Sequence, residues 1–122
     1  MEFPTGARLT VWLHEESPEL TNPLCAKRPA VVVCPGGGYV YCSPREAEPV
    51  ALAYAARGFH AFILRYSTGR SCANCAPLHQ ASWVIGYLRQ NAESWNIDPD
   101  KILTCGFSAG GHLALASGLL AE

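Results

Sequence analysis

The residues most able to do chemistry lie in the run Gly106-Phe107-Ser108-Ala109-Gly110, a G-x-S-x-G pattern. A short apolar stretch, Ile102-Leu103-Thr104-Cys105, precedes it, and an Ala/Leu-rich helical stretch over 109–120 follows. A sharp strand-to-helix turn of this kind forces the serine into a strained conformation and lifts its Oγ clear of the sheet. Small residues are needed at 106 and 110 because backbone passes close to the turn. The helix N-terminus offers unpaired N–H groups and the positive end of a dipole. Ser108 is therefore a candidate nucleophile, and the Ala109 N–H the first candidate donor to an oxyanion.

By itself the pattern also fits an ordinary glycine-rich βα turn. A nucleotide loop is a poor fit, because neither G-x-G-x-x-G nor a Walker lysine occurs. A second turn favours acyl transfer. Pro35-Gly36-Gly37-Gly38-Tyr39 follows the buried β-like run Ala30-Val31-Val32-Val33-Cys34. Glycines there let the amides of Gly37 and Gly38 face a cleft with no Cβ in the way. Each donor of such a hole is typically worth about 3–4 kcal/mol of transition-state stabilisation.

Several elements must position these turns. Leu9, Val11 and Leu13 alternate with polar or amphipathic residues, as in a half-buried strand. Ala30–Cys34 reads as a strand buried on both faces. Ser43-Pro44-Arg45-Glu46 is a helix-start signature with Ser43 as N-cap. A helix is expected over Glu48–Arg57, with Val50, Ala53, Tyr54 and Arg57 on one face and Gly58 ending it. Phe59–Tyr66 reads as a second buried strand. Leu78, Ala81, Ile85, Leu88 and Ala92 follow helical spacing over about Pro77–Glu93. Asn96-Ile97-Asp98-Pro99-Asp100 is turn chemistry. Residues 15–28 and 67–77 read as connections. The order β, β, α, β, α, β, α predicts an α/β domain with a mostly parallel sheet and helices on both faces. Chemistry in such sheets lies beyond the strands' carboxyl ends, where both glycine turns fall.

The matching stretches are Pro35–Tyr39, Arg45–Ala51, Phe62–Tyr66, Asn96–Ile102 and Gly106–Leu113. Together they make the chain resemble the amino-terminal half of an α/β-hydrolase of the esterase/lipase group. It particularly resembles acetyl-xylan-esterase-like and BD-FAE-like proteins, over about residues 8–120. The resemblance implies that Ser108 is the nucleophile and that Gly37, Gly38 and Ala109 form the oxyanion hole, with Tyr39 near the acyl pocket. It implies hydrolysis of carboxylic esters, often acetyl esters on plant polysaccharides, with no metal or organic cofactor. Peptidases and dienelactone hydrolases share the fold and elbow and stay as alternatives.

The family's order is Ser, then an acid, then His. After Ser108 come only His112 and the terminal Glu122. His112 stands one helical turn from the elbow and is expected to pack that helix. His14, His60 and His79 read as structural, and Asp98 and Asp100 as a connection on the opposite edge. Residues 1–122 are therefore expected to be a partial hydrolase domain, truncated after the elbow helix and inactive alone. The alternative is a non-catalytic product: a binding module or an unstable half-domain. The unpaired strand 102–105 is expected to promote self-association.

Composition narrows the rest. Of 122 residues, 49% are hydrophobic and 16% charged, which argues against disorder, and a net charge of −1 gives no reason to expect nucleic-acid binding. The length suits one domain. No run of 18 apolar residues suggests a membrane span. The start carries no basic and apolar leader pattern, so a cytoplasmic location is expected. Six cysteines (Cys25, Cys34, Cys42, Cys72, Cys75, Cys105) read mainly as free thiols, with a local disulfide or metal use at Cys72-x-x-Cys75 kept open.

Overall fold

In the computed structural model, residues 6–15, 27–69 and 76–120 are described. The expectations for Cys25, Cys72 and Cys75, and for most of the two connections, fall outside them. The elements are β1 (Arg8–Trp12), β2 (Arg28–Cys34), a 3-10 turn (Pro44–Glu46), α1 (Glu48–Ala55), β3 (His60–Arg65), α2 (Ala76–Gln90), β4 (Ile97–Gly106) and α3 (Ala109–Leu120). They form one sheet in the order β1-β3-β2-β4. β2 runs parallel to β3 and β4, and β1 runs antiparallel to β3.

Side-chain alternation along the central strands builds two cores. Ala30, Val32, Cys34, Phe62 and Leu64 face α2 and α3, meeting Ala81, Val84, Leu88 and Leu113. Val31, Val33, Ala61 and Ile63 face α1, meeting Ala47 and Ala51. Burial of each large aliphatic side chain contributes about 1.5–3 kcal/mol. A continuous apolar run is what a strand covered on both faces requires. The α/β expectation holds, with helices on both faces.

Four local expectations need adjustment. Leu13 lies beyond the end of β1 and is exposed. On α1 the buried residue is Ala51, while Ala53 and Arg57 are exposed, because α1 docks through a tight Ala47/Ala51 contact. Residues 97–100 belong to β4 rather than to a free turn. Arg28 pairs with Ile97 and Ala30 with Ile102, so β4 advances five residues while β2 advances two. Asp98-Pro99-Asp100 is thus an excursion inside a strand, closed by the Asp100 N–H donating to Asp98 Oδ1 at 3.0 Å. Finally, Ser43 precedes the 3-10 turn but makes no side-chain cap. Its N–H donates to the Gly36 carbonyl at 2.8 Å, holding it under the glycine turn, and its Oγ is buried and makes no hydrogen bond.

Candidate active site

β2 and β4 are parallel neighbours, so the glycine turn after Cys34 and the elbow after Gly106 emerge side by side. At the elbow Ser108 has φ 55° and is exposed. A non-glycine residue in this region is held there by its surroundings. Here the constraint is close backbone packing. A side-chain carbon at Gly106 would overlap the Gly110 carbonyl, and one at Gly110 would overlap the Cys34 carbonyl. The elbow is therefore seated directly on the end of β2, and the Phe107 N–H donates to Cys34 O at 3.3 Å.

The second turn meets the first. A side-chain carbon at Gly36 would lie 2.5 Å from the Phe107 carbonyl oxygen and 3.2 Å from Ser108 Cβ. Gly37 has φ 142°, and there a side chain would collide with the Tyr41 backbone. The N–H groups divide cleanly. The Gly36 N–H donates to Glu46 Oε1 at 3.1 Å. On α3 the Gly110 N–H donates to Phe107 O at 2.9 Å and the His112 N–H to Ser108 O at 3.0 Å. Among the described residues, the N–H groups of Gly37, Gly38 and Ala109 make no hydrogen bond. First-turn donors of a helix have no intrahelical acceptor, which accounts for Ala109.

Tyr39 ties the two turns together. It sits at φ 62° and its hydroxyl is hydrogen-bonded to His112 Nδ1 at 2.8 Å. His112 is exposed and engaged with Tyr39, not packed into the helix interface as expected. Tyr39 also packs edge-on against Tyr66, at 5.8 Å between ring centroids. The Tyr66 hydroxyl donates to the Pro35 carbonyl, anchoring the glycine turn to β3. Burial pushes the Tyr66 phenol well above its usual range, so it remains a donor. Beyond it, buried Gln80 accepts from the Ser67 N–H at 2.7 Å.

Other sequence candidates lie apart from the elbow. The buried His60 begins β3, at the opposite edge. Its Nδ1 accepts from the His14 N–H at 3.0 Å, so the proton resides on Nε2, which donates to Asn96 O at 3.2 Å. Burial, opposed in part by the bond to Asn96, lowers its pKa. Asp98 makes an ion pair with Lys101 at 4.0 Å, also near the start of β4. Cys34, Cys42 and Cys105 are free thiols. No cluster of three or more His, Cys, Asp or Glu side chains suited to a metal occurs among the described residues.

Glu46, Tyr66 and the Tyr39–His112 bond were not identified as site parts from the sequence. Glu46 carried a helix-start signal and stood in a matching stretch with no role attached, and the other contacts join residues too far apart for spacing to reveal.

Comparison with known proteins shows the family and the fold. The BD-FAE family model matches residues 20–122. The chain is 39% identical over 90 residues to an endo-1,4-beta-xylanase B of Butyrivibrio fibrisolvens, covering 71% of this chain and 14% of that protein. It is 31% identical to an acetylxylan esterase of Xylanibacter ruminicola, covering 93% of this chain and 24% of that protein. The crystal structure of MGS-M1, an α/β hydrolase enzyme from a Medee basin deep-sea metagenome library, is 48% identical with a TM-score of 0.83. That match covers 88% of this chain and 44% of the other, so the chain spans less than half the length of the relatives it matches. With the strained serine and the glycine turn meeting at one sheet edge, these matches make the chain a member of the BD-FAE family, with an α/β-hydrolase fold.

Proposed function

We propose that this chain supplies the nucleophile and the oxyanion hole of a serine carboxylic ester hydrolase acting on acetyl esters of carbohydrates. The observation that carries the reading is the contact of the two turns. Ser108, at φ 55°, stands beside a glycine turn with two unengaged N–H groups, and the unengaged Ala109 N–H follows it directly in the chain. In this mechanism Ser108 Oγ attacks the ester carbonyl carbon and loses its proton to a general base. The carbonyl oxygen becomes an oxyanion held by the N–H groups of Gly37, Gly38 and Ala109. The C–O bond to the alcohol then breaks as the alcohol takes up the proton, and water hydrolyses the resulting acyl-serine. Tyr39 lies on the acyl side. The carbohydrate part of the reading rests on the acetylxylan esterase relative.

The triad base and acid are part of the proposal as groups from outside residues 1–122. His112 is engaged with Tyr39, and His60 is on the far edge. Slow or absent turnover by residues 1–122 alone follows. No metal or organic cofactor enters the mechanism. A reducing cytosolic setting belongs to the same reading, supported by the free thiols at Cys34, Cys42 and Cys105.

The test is labelling by a fluorophosphonate probe, alongside hydrolysis of p-nitrophenyl acetate. Labelling at Ser108 that is slow for want of the base and disappears in Ser108→Ala is expected, with little ester turnover by the chain alone. Equal labelling of the alanine variant would sink the nucleophile assignment. Fast, Ser108-dependent turnover would sink the external base.

A further inference from the structure

The sheet edge that carries the elbow also carries a pair of opposed positive charges. Arg8 and Arg65 stand directly opposite each other in the β1–β3 ladder. Opposed residues of an antiparallel pair project from the same face, and like charges there repel. Among the described residues neither guanidinium makes an ion pair with a carboxylate. The two arginines, with Leu9 and Thr10, line a cavity of about 360 Å³. Arg65 donates from one guanidinium nitrogen to Thr10 Oγ1, which fixes its orientation and leaves further N–H groups. Burial raises the pKa of the nearby Cys42 thiol, and the Tyr66 carbonyl contact and then Arg65 and Arg8 oppose that rise only in part. Arg65 ends β3, which is parallel to β4 and two strands away, about 10 Å at ordinary strand spacing.

We infer that Arg8 and Arg65 form an oxyanion-binding site, taking a carboxylate or a phosphate group in the cavity against the β1–β3 ladder. Planar guanidinium forks match both groups, and a bound anion removes the repulsion that the bare pair carries. The site is separate from Ser108 and does not depend on the esterase reading.

The experiment is calorimetric titration of the full chain at fixed ionic strength with inorganic phosphate, with glucuronate and with glucose as a neutral control. Backbone amide shifts of residues 8–10 and 65 are followed in parallel. Saturable binding of at least one oxyanion and none of glucose is expected. Arg8→Gln, at an exposed position, should weaken binding at least about tenfold, since a charge-assisted hydrogen bond is worth more than a decade in affinity. Arg65→Lys should weaken it less than Arg65→Gln, and Ser108→Ala should leave it unchanged. Binding of phosphate alone assigns the site to phosphoryl groups, and of glucuronate alone to sugar carboxylates. Absence of saturable binding, an equal response to glucose, or full retention in Arg8→Gln would overturn the inference.

Discussion

Adding one methyl group at two different glycines should have opposite effects, and the structure sets both signs. Gly110 is buried where α3 sits on the end of β2. An alanine Cβ there would overlap the Cys34 carbonyl and lie 2.5 Å from the Pro35 carbonyl oxygen, whereas real contacts essentially never fall under 3.0 Å. Backbone oxygens cannot rotate away, so the elbow and β2 must separate. Overpacking of this kind costs about 1–3 kcal/mol. Stretching the Phe107–Cys34 hydrogen bond adds about 1 kcal/mol, for a total of about 3 kcal/mol. Gly86 lies on the exposed side of α2 with nothing within 4 Å of an added Cβ. There alanine removes backbone entropy from the unfolded chain and gains about 0.5–1 kcal/mol. Urea denaturation with an m-value of about 1.5 kcal/mol/M should place the Gly110→Ala midpoint about 2 M below the parent and Gly86→Ala about 0.5 M above it. A Gly110→Ala midpoint indistinguishable from the parent would refute the seating of the elbow on β2.

Three further outcomes can be checked. Burial holds the His60 imidazole below its ordinary 6.5, so as pH falls through 6.5 the unfolded chain takes up the proton first. Stability should therefore fall from there until the lowered native value is passed, and His60→Gln should flatten that limb; an NMR titration midpoint at or above 6.5 would count against it. Burial, with Cys105 and Cys42 nearby, pushes the Cys34 thiol up to about 12, so it should resist a disulfide reagent at pH 8 until urea is added. β4 pairs only with β2 among the described residues, and Leu103 on it is 48% exposed. Concentration-dependent association is expected in sedimentation, and Leu103→Lys should reduce it; a monodisperse monomer would exclude this edge as a contact.

Much of the site was legible because it is local. A serine bracketed by glycines between a strand and a helix specifies its own backbone, and Ser108 has that backbone at φ 55°. The glycine run after Val31-Val32-Val33 likewise announced a turn with exposed amides. Less legible was which amides stay open. Glu46 occupies the Gly36 N–H from ten residues away, and that choice leaves Gly37 and Gly38. The signature Ser43-Pro44 correctly marked a helical start, yet Ser43 makes no cap because its N–H is drawn to Gly36 O. Asp98-Pro99-Asp100 was read as a turn, and the Asx closure is there, but within a strand that resumes its pairing afterwards.

The sequence by itself determined the element order, the two apolar faces of the central strands and the sharp glycine–serine turn after β4. All of these follow from periodicity and from backbone preferences that act over a few residues. Only the tertiary structure decided that β2 lies between β3 and β4, which places the two turns in contact. It also decided that Tyr39 grips His112 across 73 residues and that Arg8 opposes Arg65 across 57. Such pairings depend on which strands become neighbours, and no local pattern in either partner encodes that.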